Sequence, residues 1–118
     1  MHTDPNVYNR GHRQRLQQKF KASGIDALHE YEVLELLLSY VIRQQDVKPL
    51  AKELLKAFGS VKGILDTELA DLQTVSGIGE RSAILLKFVK EIAALYLKQK
   101  AKEKKQVPAL SYYEYIIT

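Results

Sequence analysis

Two glycines flank an isoleucine at residues 77–79, and this is where residue type and spacing best fit a chemical task. Glycine has no Cβ, so the main-chain N–H groups of Gly77 and Gly79 lie open to an approaching ligand. A helical pattern begins directly after them, and the first N–H groups of a helix have no partner within it. Because such donors lie at the positive end of the helix dipole, the sequence predicts an anion site.

Three neighbouring residues support this site. Arg81 and Ser82 fall in the first turn of the following helix, where a cation and a hydroxyl add further bonds to an anion. Ile78 is apolar at the tip of a tight turn, which predicts that its side chain plugs the core between the two helices. We also expect both glycines to adopt backbone angles that a residue with a side chain resists.

The pattern of an apolar residue, any residue, glycine, an apolar residue and glycine resembles the helix-hairpin-helix motif. The usual ligand of that motif is the phosphate backbone of DNA. The alternative interpretation is a purely structural turn between packed helices, and Glu80 favours it because it lies where a phosphate would approach. A second helix, glycine turn and helix at residues 59–63 lacks the Gly-x-Gly spacing and contributes only Lys62 to a phosphate site.

Charge is distributed unevenly along the chain, whose formal net charge is +4. Residues 10–21 hold five Lys or Arg and no acid, whereas residues 26–35 hold four acids and no Lys or Arg. Arg13 and Arg15 belong to the first basic cluster, and we expect them to face mostly outward. Phosphate contact and a solvated helix face are equal interpretations of these two arginines.

No residues have the spacing of a catalytic or metal site, so we predict no catalytic residue, metal or cofactor. Glu32 and Glu35 lie three apart on a predicted helix at residues 28–41, but no histidine joins them, and we expect a solvated face. The three histidines are each alone, and the absence of cysteine excludes thiolate chemistry. No apolar run is long enough for a membrane span or a signal core, so we expect a soluble, cytoplasmic protein that does not bind membranes.

Composition and periodicity predict an all-α fold, a compact bundle of five to six helices with one true and one degenerate hairpin. We expect a flexible arm at residues 1–10, a helical domain at 11–98, and a basic helix extension with a linker at 99–118. The helix at 28–41 is the most apolar and should form the centre of the core. Asp46 should cap the next helix, Asp66 and Thr67 the one before the hairpin. The last helix should start near Glu80 and carry an apolar stripe, Ile84, Leu85, Phe88, Ile92 and Leu95, that persists to Leu97.

The last eleven residues, PALSYYEYIIT, are β-prone and apolar with no partner strand in the chain. They predict either a fragment cut at a domain boundary or a tail that pairs with a second copy, which would be a dimer.

Four blocks resemble the N-terminal helical domain of the RadC family, named DNA repair proteins: GHRQRL at 11–16, YEVLELLL at 31–38, DVKPLAKELLKAFGS at 46–60 and VSGIGERSA at 75–83. In that family a metallopeptidase-like domain of the JAB/MPN type follows, with a His-x-His zinc site. This chain has no His-x-His, so that role does not transfer to it. The resemblance implies DNA binding and an association with repair or recombination.

Two functions follow as hypotheses, and an enzyme is third and disfavoured. The first is a module that binds DNA phosphates without base readout, through Gly77, Ile78, Gly79, Arg81 and Ser82, extended by Lys62, Arg13 and Arg15. The second is a protein-interaction or regulatory domain that positions the missing metallopeptidase-like domain.

Overall fold

The computed structural model describes the backbone of residues 5–104 and the side chains of residues 11–103. Within that range it contains six α-helices, one 3₁₀ turn and no strand, which confirms the predicted all-α class. The elements are α1 Pro5–Ser23, the 3₁₀ turn Ile25–Ala27, α2 Glu30–Ser39, α3 Lys48–Phe58, α4 Val61–Asp66, α5 Leu69–Leu72 and α6 Glu80–Lys104.

The N-terminal helix is longer than predicted. α1 begins at Pro5, inside the segment 1–10 that is expected to form a flexible arm. Proline lacks an N–H and has a fixed φ, and the first turn of a helix tolerates both. The helix ends at Gly24, whose φ of 76° lies in the left-handed region that favours glycine. The tail at residues 107–118 and its predicted pairing lie outside the described residues.

The chain divides into two units, Met1–Lys87 and Phe88–Thr118, and α6 contributes to both. Unit one holds the core, to which α2 and α3 contribute five of the eleven buried apolar side chains. As predicted, α2 is central, because Leu34 and Leu38 are fully buried. The buried apolar cluster consists of Leu34, Leu38, Val47, Leu50, Ala51, Leu54, Ile64, Leu72, Ile78, Ala83 and Leu86.

The α3–α5 region shows how short helices are fixed by their ends. Asp46 accepts the N–H of Lys48 at 3.0 Å, although Val47 is the residue that caps α3. Ser60 caps α4 by accepting the N–H of Gly63 at 2.9 Å. The predicted cap by Asp66 and Thr67 is wrong: the Thr67 hydroxyl donates back to the Gly63 carbonyl at 2.6 Å, and α5 begins after Glu68. The hydroxyl therefore closes α4 rather than opening α5.

Most of the apolar stripe of α6 lies on the surface. Ala83 and Leu86 are the apolar side chains of α6 that lie fully in the core. Ile84, Phe88 and Ile92 are exposed, because they follow another face of the same helix. The four-residue spacing correctly predicted a helix, but it did not indicate which face the core covers.

Candidate functional site

The turn between α5 and α6 has a defined geometry. The N–H of Ile78 donates to the carbonyl of Val75 at 3.0 Å, which closes a four-residue turn. Gly77 is the third residue of that turn and has a φ of 97°. A positive φ at this position is what a type II turn requires, and glycine supplies it without strain. A Cβ on Gly77 would also lie 3.3 Å from Cδ1 of Leu50, so the fold itself explains this glycine.

Gly79 does not have a positive φ, contrary to the expectation that both glycines need unusual backbone angles. A Cβ built on Gly79 meets no atom of the described residues within 4 Å. The backbone of Gly79 is thus ordinary and the space beside it is open.

The isoleucine between the glycines behaves as predicted. Ile78 is 4% exposed and belongs to the core cluster. Its side chain anchors the turn to the core, while Gly77 and Gly79 remain exposed on either side.

The main-chain donors at this turn are open. The N–H groups of Gly77, Gly79, Glu80 and Arg81 donate no hydrogen bond to any acceptor among residues 5–104. The first internal bond of α6 runs from the N–H of Ala83 to the carbonyl of Gly79, at 3.0 Å. Four N–H groups therefore lie within five residues, three of them at the positive end of a helix dipole.

The side chains around these donors are mixed in charge. Arg81 is exposed, and no described residue pairs with it. Ser82 is 5% exposed, so its hydroxyl lies among core residues and not beside the open amides. Glu80 is exposed at the same helix start. The adjacent surface groove is lined by Gln45, Asp46, Pro49, Leu50, Glu53, Ser76 and Gly77, which adds two carboxylates.

The partly exposed side chain of Arg13 makes hydrogen bonds to the main chain of the same protein. Its guanidinium donates to the carbonyls of Ile42, Arg43 and Gln45 at 2.6, 2.8 and 2.8 Å. These carbonyls follow the end of α2, where the helix leaves acceptors unpaired. Arg13 was predicted to face mostly outward; it is partly exposed, and its five-donor fork fits this cluster of carbonyls.

Arg15 and Lys62, the two remaining residues predicted to contact DNA phosphates, lie on the surface. Arg15 is exposed, and its Nη2 lies 3.3 Å from Nδ1 of His12. Lys62 pairs with Asp66 at 2.7 Å, one helical turn away, and the hydrogen bond to that carboxylate raises the pKa of Lys62. No contact joins either residue to the 77–79 turn in the described part of the chain.

A buried ion pair joins α1 to α2, and the sequence interpretation missed it. Glu35 is 1% exposed, and its Oε2 pairs with Nε2 of His12. Its Oε1 is buried without a hydrogen-bond partner. Burial raises the pKa of Glu35, against the opposing charge of His12. The expected solvated face is therefore wrong for Glu35, and its position beside Leu34 inside the apolar run was the signal.

Glu32, by contrast, remains near the surface. Burial acts to raise its pKa, but the N–H of His29 and the ammonium of Lys19 outweigh burial, and the pKa of Glu32 is lowered. These bonds measure 2.9 and 3.1 Å. Glu32 and His29 also form a capping box at the start of α2. Within residues 5–104, no three histidine or carboxylate side chains converge as metal ligands.

Helix composition also bears on membrane insertion. None of the helices described here combines the length and the apolar content that crossing a bilayer requires.

Comparison with known proteins places the chain in a family. The sequence model described as UPF0758 N-terminal matches residues 9–84. A UPF0758 protein of Fusobacterium nucleatum is 42% identical over 99 residues, which is 84% of this chain and 43% of the relative. A UPF0758 protein of Ruegeria pomeroyi is 43% identical over 86 residues, 73% of this chain and 38% of the relative.

The chain thus spans less than half the length of these relatives. No solved structure matches it. The family match covers the basic α1, the core helices and the 77–79 turn together. The chain belongs to the UPF0758 family, the RadC family that its four sequence blocks resemble.

Proposed function

We propose that this chain is a DNA-binding module that grips the phosphate backbone without reading base sequence. In this proposal the α5–α6 turn acts as a helix-hairpin-helix motif. Phosphate oxygens accept bonds from the open N–H groups at residues 77–81, and the side chain of Arg81 adds a cation. This is a role in handling DNA, in keeping with repair or recombination.

One observation carries the proposal. Gly79 has no positive φ and has open space where a side chain would lie, so no contact with the described residues requires glycine there. A missing side chain at this point matters most to a partner that approaches the main chain closely. The unpaired amides beside it are hydrogen-bond donors, so the partner that suits them is an anion with several acceptor oxygens.

The proposed interface uses fewer residues than the sequence predicts. Arg13 is committed to three carbonyls and Ser82 is buried, so neither belongs to the proposed interface. Two to four neutralised phosphates correspond to a slope of about −2 to −4 in log affinity against log salt. Glu80 and the carboxylates of the adjacent groove oppose DNA, so we expect moderate affinity at low salt.

The test compares Gly79→Asp with the unchanged chain by fluorescence anisotropy on duplex, single-stranded and branched DNA at two salt concentrations. An aspartate directly before a helix caps its amides, so the fold is preserved or slightly stabilised. The same carboxylate accepts hydrogen bonds from the main-chain amides that would otherwise bind phosphate, and its charge repels phosphate. We expect binding to weaken by about tenfold or more, the worth of one or two charge-assisted bonds.

Two variants serve as controls. Ala70→Asp adds the same charge at an exposed position of α5 and should change affinity only slightly. Gly77→Ala forces a side chain into a positive φ and should destabilise the fold by about 1 kcal/mol or more. Unchanged DNA affinity in a folded Gly79→Asp variant would remove the turn from the interface.

A second candidate is protein docking at the same surface. The carboxylates of Asp46, Glu53 and Glu80 around the turn favour it, because they suit a basic protein partner better than DNA. In this case the module would position a metallopeptidase-like domain or another partner. Lack of binding to every DNA form at low salt would support it over the first proposal.

A further inference from the structure

A row of exposed apolar side chains, Phe88, Ile92 and Leu95, runs along the part of α6 that lies in unit two, and we call this row the seam. Phe88, Ile92 and Leu95 are 57%, 51% and 53% exposed. Tyr96 beside them is 60% exposed. Single exposed apolar residues are common on protein surfaces, but a contiguous row of large ones marks an interaction surface.

The spacing of the seam identifies the shape of its partner. Phe88, Ile92 and Leu95 are separated by four and then three residues, and Gln99 extends the same alternation. Apolar residues at this mean spacing of 3.5 are the signature of one helix lying along another in a coiled coil. The expected occupant is therefore a helix.

The residues on the seam indicate which helix. In heptad terms Ile92 takes the a position and Leu95 the d position, a combination that favours parallel two-stranded pairs. Lys98 and Glu103 then take g and e positions. In a parallel pair in register, each Lys98 faces Glu103 of the other chain, twice by symmetry. The seam is thus complementary to itself.

Charge also sets its length. Lys102 takes the next d position after the seam, and two lysines would face each other there in a parallel pair. The seam therefore holds only the layers from Phe88 to Gln99. So short an interface is well below the size of permanent dimers, and the pairing should be weak and concentration-dependent.

We propose that the exposed seam of α6 binds the same seam of a second copy of this chain, as a parallel pair of helices in register. The proposal does not depend on DNA binding. It places the dimer contact on the described helix and not on the tail at residues 107–118.

The test is sedimentation equilibrium of the full chain over a wide concentration range, with circular dichroism to confirm helicity. We expect reversible dimers, and Ile92→Asp should leave monomers at all concentrations. Ala94→Asp is the matched control: the same residue enters the same helix at an exposed position away from the seam, and dimers should persist. A monomeric unchanged chain, or equal effects of both variants, would overturn the proposal and assign the seam to another segment or protein.

Two further measurements test register and self-complementarity. Lys98→Glu and Glu103→Lys should each weaken the dimer about three- to fivefold, and the double variant should restore it. Because the chain has no cysteine, Gln99→Cys introduces a single thiol. It should form an interchain disulfide under mild oxidation, since the two thiols face each other in a parallel pair. Failure of both the restoration and the cross-link would exclude this arrangement.

Discussion

The buried pair of His12 and Glu35 makes a quantitative prediction about stability. The perturbation is His12→Ala, which removes the ion-pair partner of a carboxylate that is 1% exposed. The other carboxylate oxygen has no hydrogen-bond partner among the described residues, so after the substitution only the more distant charge of Lys48 favours the ionised carboxylate. The variant must bury an unpaired charge or protonate Glu35.

The loss in the free energy of unfolding is set by whichever costs less, burying the unpaired charge or protonating Glu35. Leaving a buried charge unpaired costs about 3–5 kcal/mol. Protonating a carboxyl whose ordinary pKa is 4.5 costs about 1.4 kcal/mol per pH unit above that value, hence about 3.4 kcal/mol at pH 7. Protonation therefore limits the loss to about 2–3.5 kcal/mol at pH 7. At pH 5 the same limit falls to about 0.7 kcal/mol.

The sign of the pH dependence follows from linkage. Burial raises the pKa of Glu35 above its ordinary value in the folded state, so the folded protein binds the proton more tightly than the unfolded chain. Stability is then full below the unfolded pKa and is lost as the pH rises through the folded pKa. Without His12 the folded pKa rises further, and more stability is lost at neutral pH.

The assay is urea unfolding followed by circular dichroism at about pH 5 and pH 7, the range over which the protonation cost changes most. Gln18→Ala, at an exposed position of α1, is the control and should change stability by less than about 0.5 kcal/mol at either pH. Adding Glu35→Gln to His12→Ala removes the titrating group and should abolish the extra pH dependence. An equal loss at both pH values, or no effect of Glu35→Gln on that dependence, would refute the reasoning.

Two more stability predictions follow from single contacts. Arg13→Lys should lower the free energy of unfolding by about 1–3 kcal/mol, because one ammonium cannot satisfy the three carbonyls that the guanidinium reaches; urea unfolding beside Arg15→Lys, an exposed control, measures this. Gly63→Ala should destabilise by more than about 2 kcal/mol, because the new Cβ would lie 2.1 Å from the Phe58 carbonyl oxygen. Gly11→Ala, where a Cβ meets nothing within 4 Å, is its matched control, and equal melting temperatures would contradict the clash.

The 77–79 turn shows how much residue type and spacing can predict. The prediction that Ile78 plugs the core is confirmed, because an apolar residue at a tight turn has few other places to go. The need for glycine was assigned to both positions, but only Gly77 has the positive φ. Sequence shows that a side chain is missing, whereas the backbone angles show whether the fold or the surroundings require its absence.

Charged residues were the main source of error. Arg13 and Glu35 were both expected to face solvent, as most such residues do. Arg13 instead reaches carbonyls about thirty positions away in the chain, and Glu35 meets His12 across two helices. No local pattern encodes partners so distant in sequence.

The sequence by itself determined the all-helical class, the position of the 77–79 turn, the burial of Ile78 and the central place of α2. These follow from periodicity and turn chemistry, which act over a few neighbouring residues. The tertiary structure alone decided that Glu35 is buried, that Arg13 binds carbonyls, and that Ala83 and Leu86 face the core while Phe88 and Ile92 remain exposed. The reason is that a helix pattern fixes which residues share a face, whereas burial depends on which distant element comes to cover it.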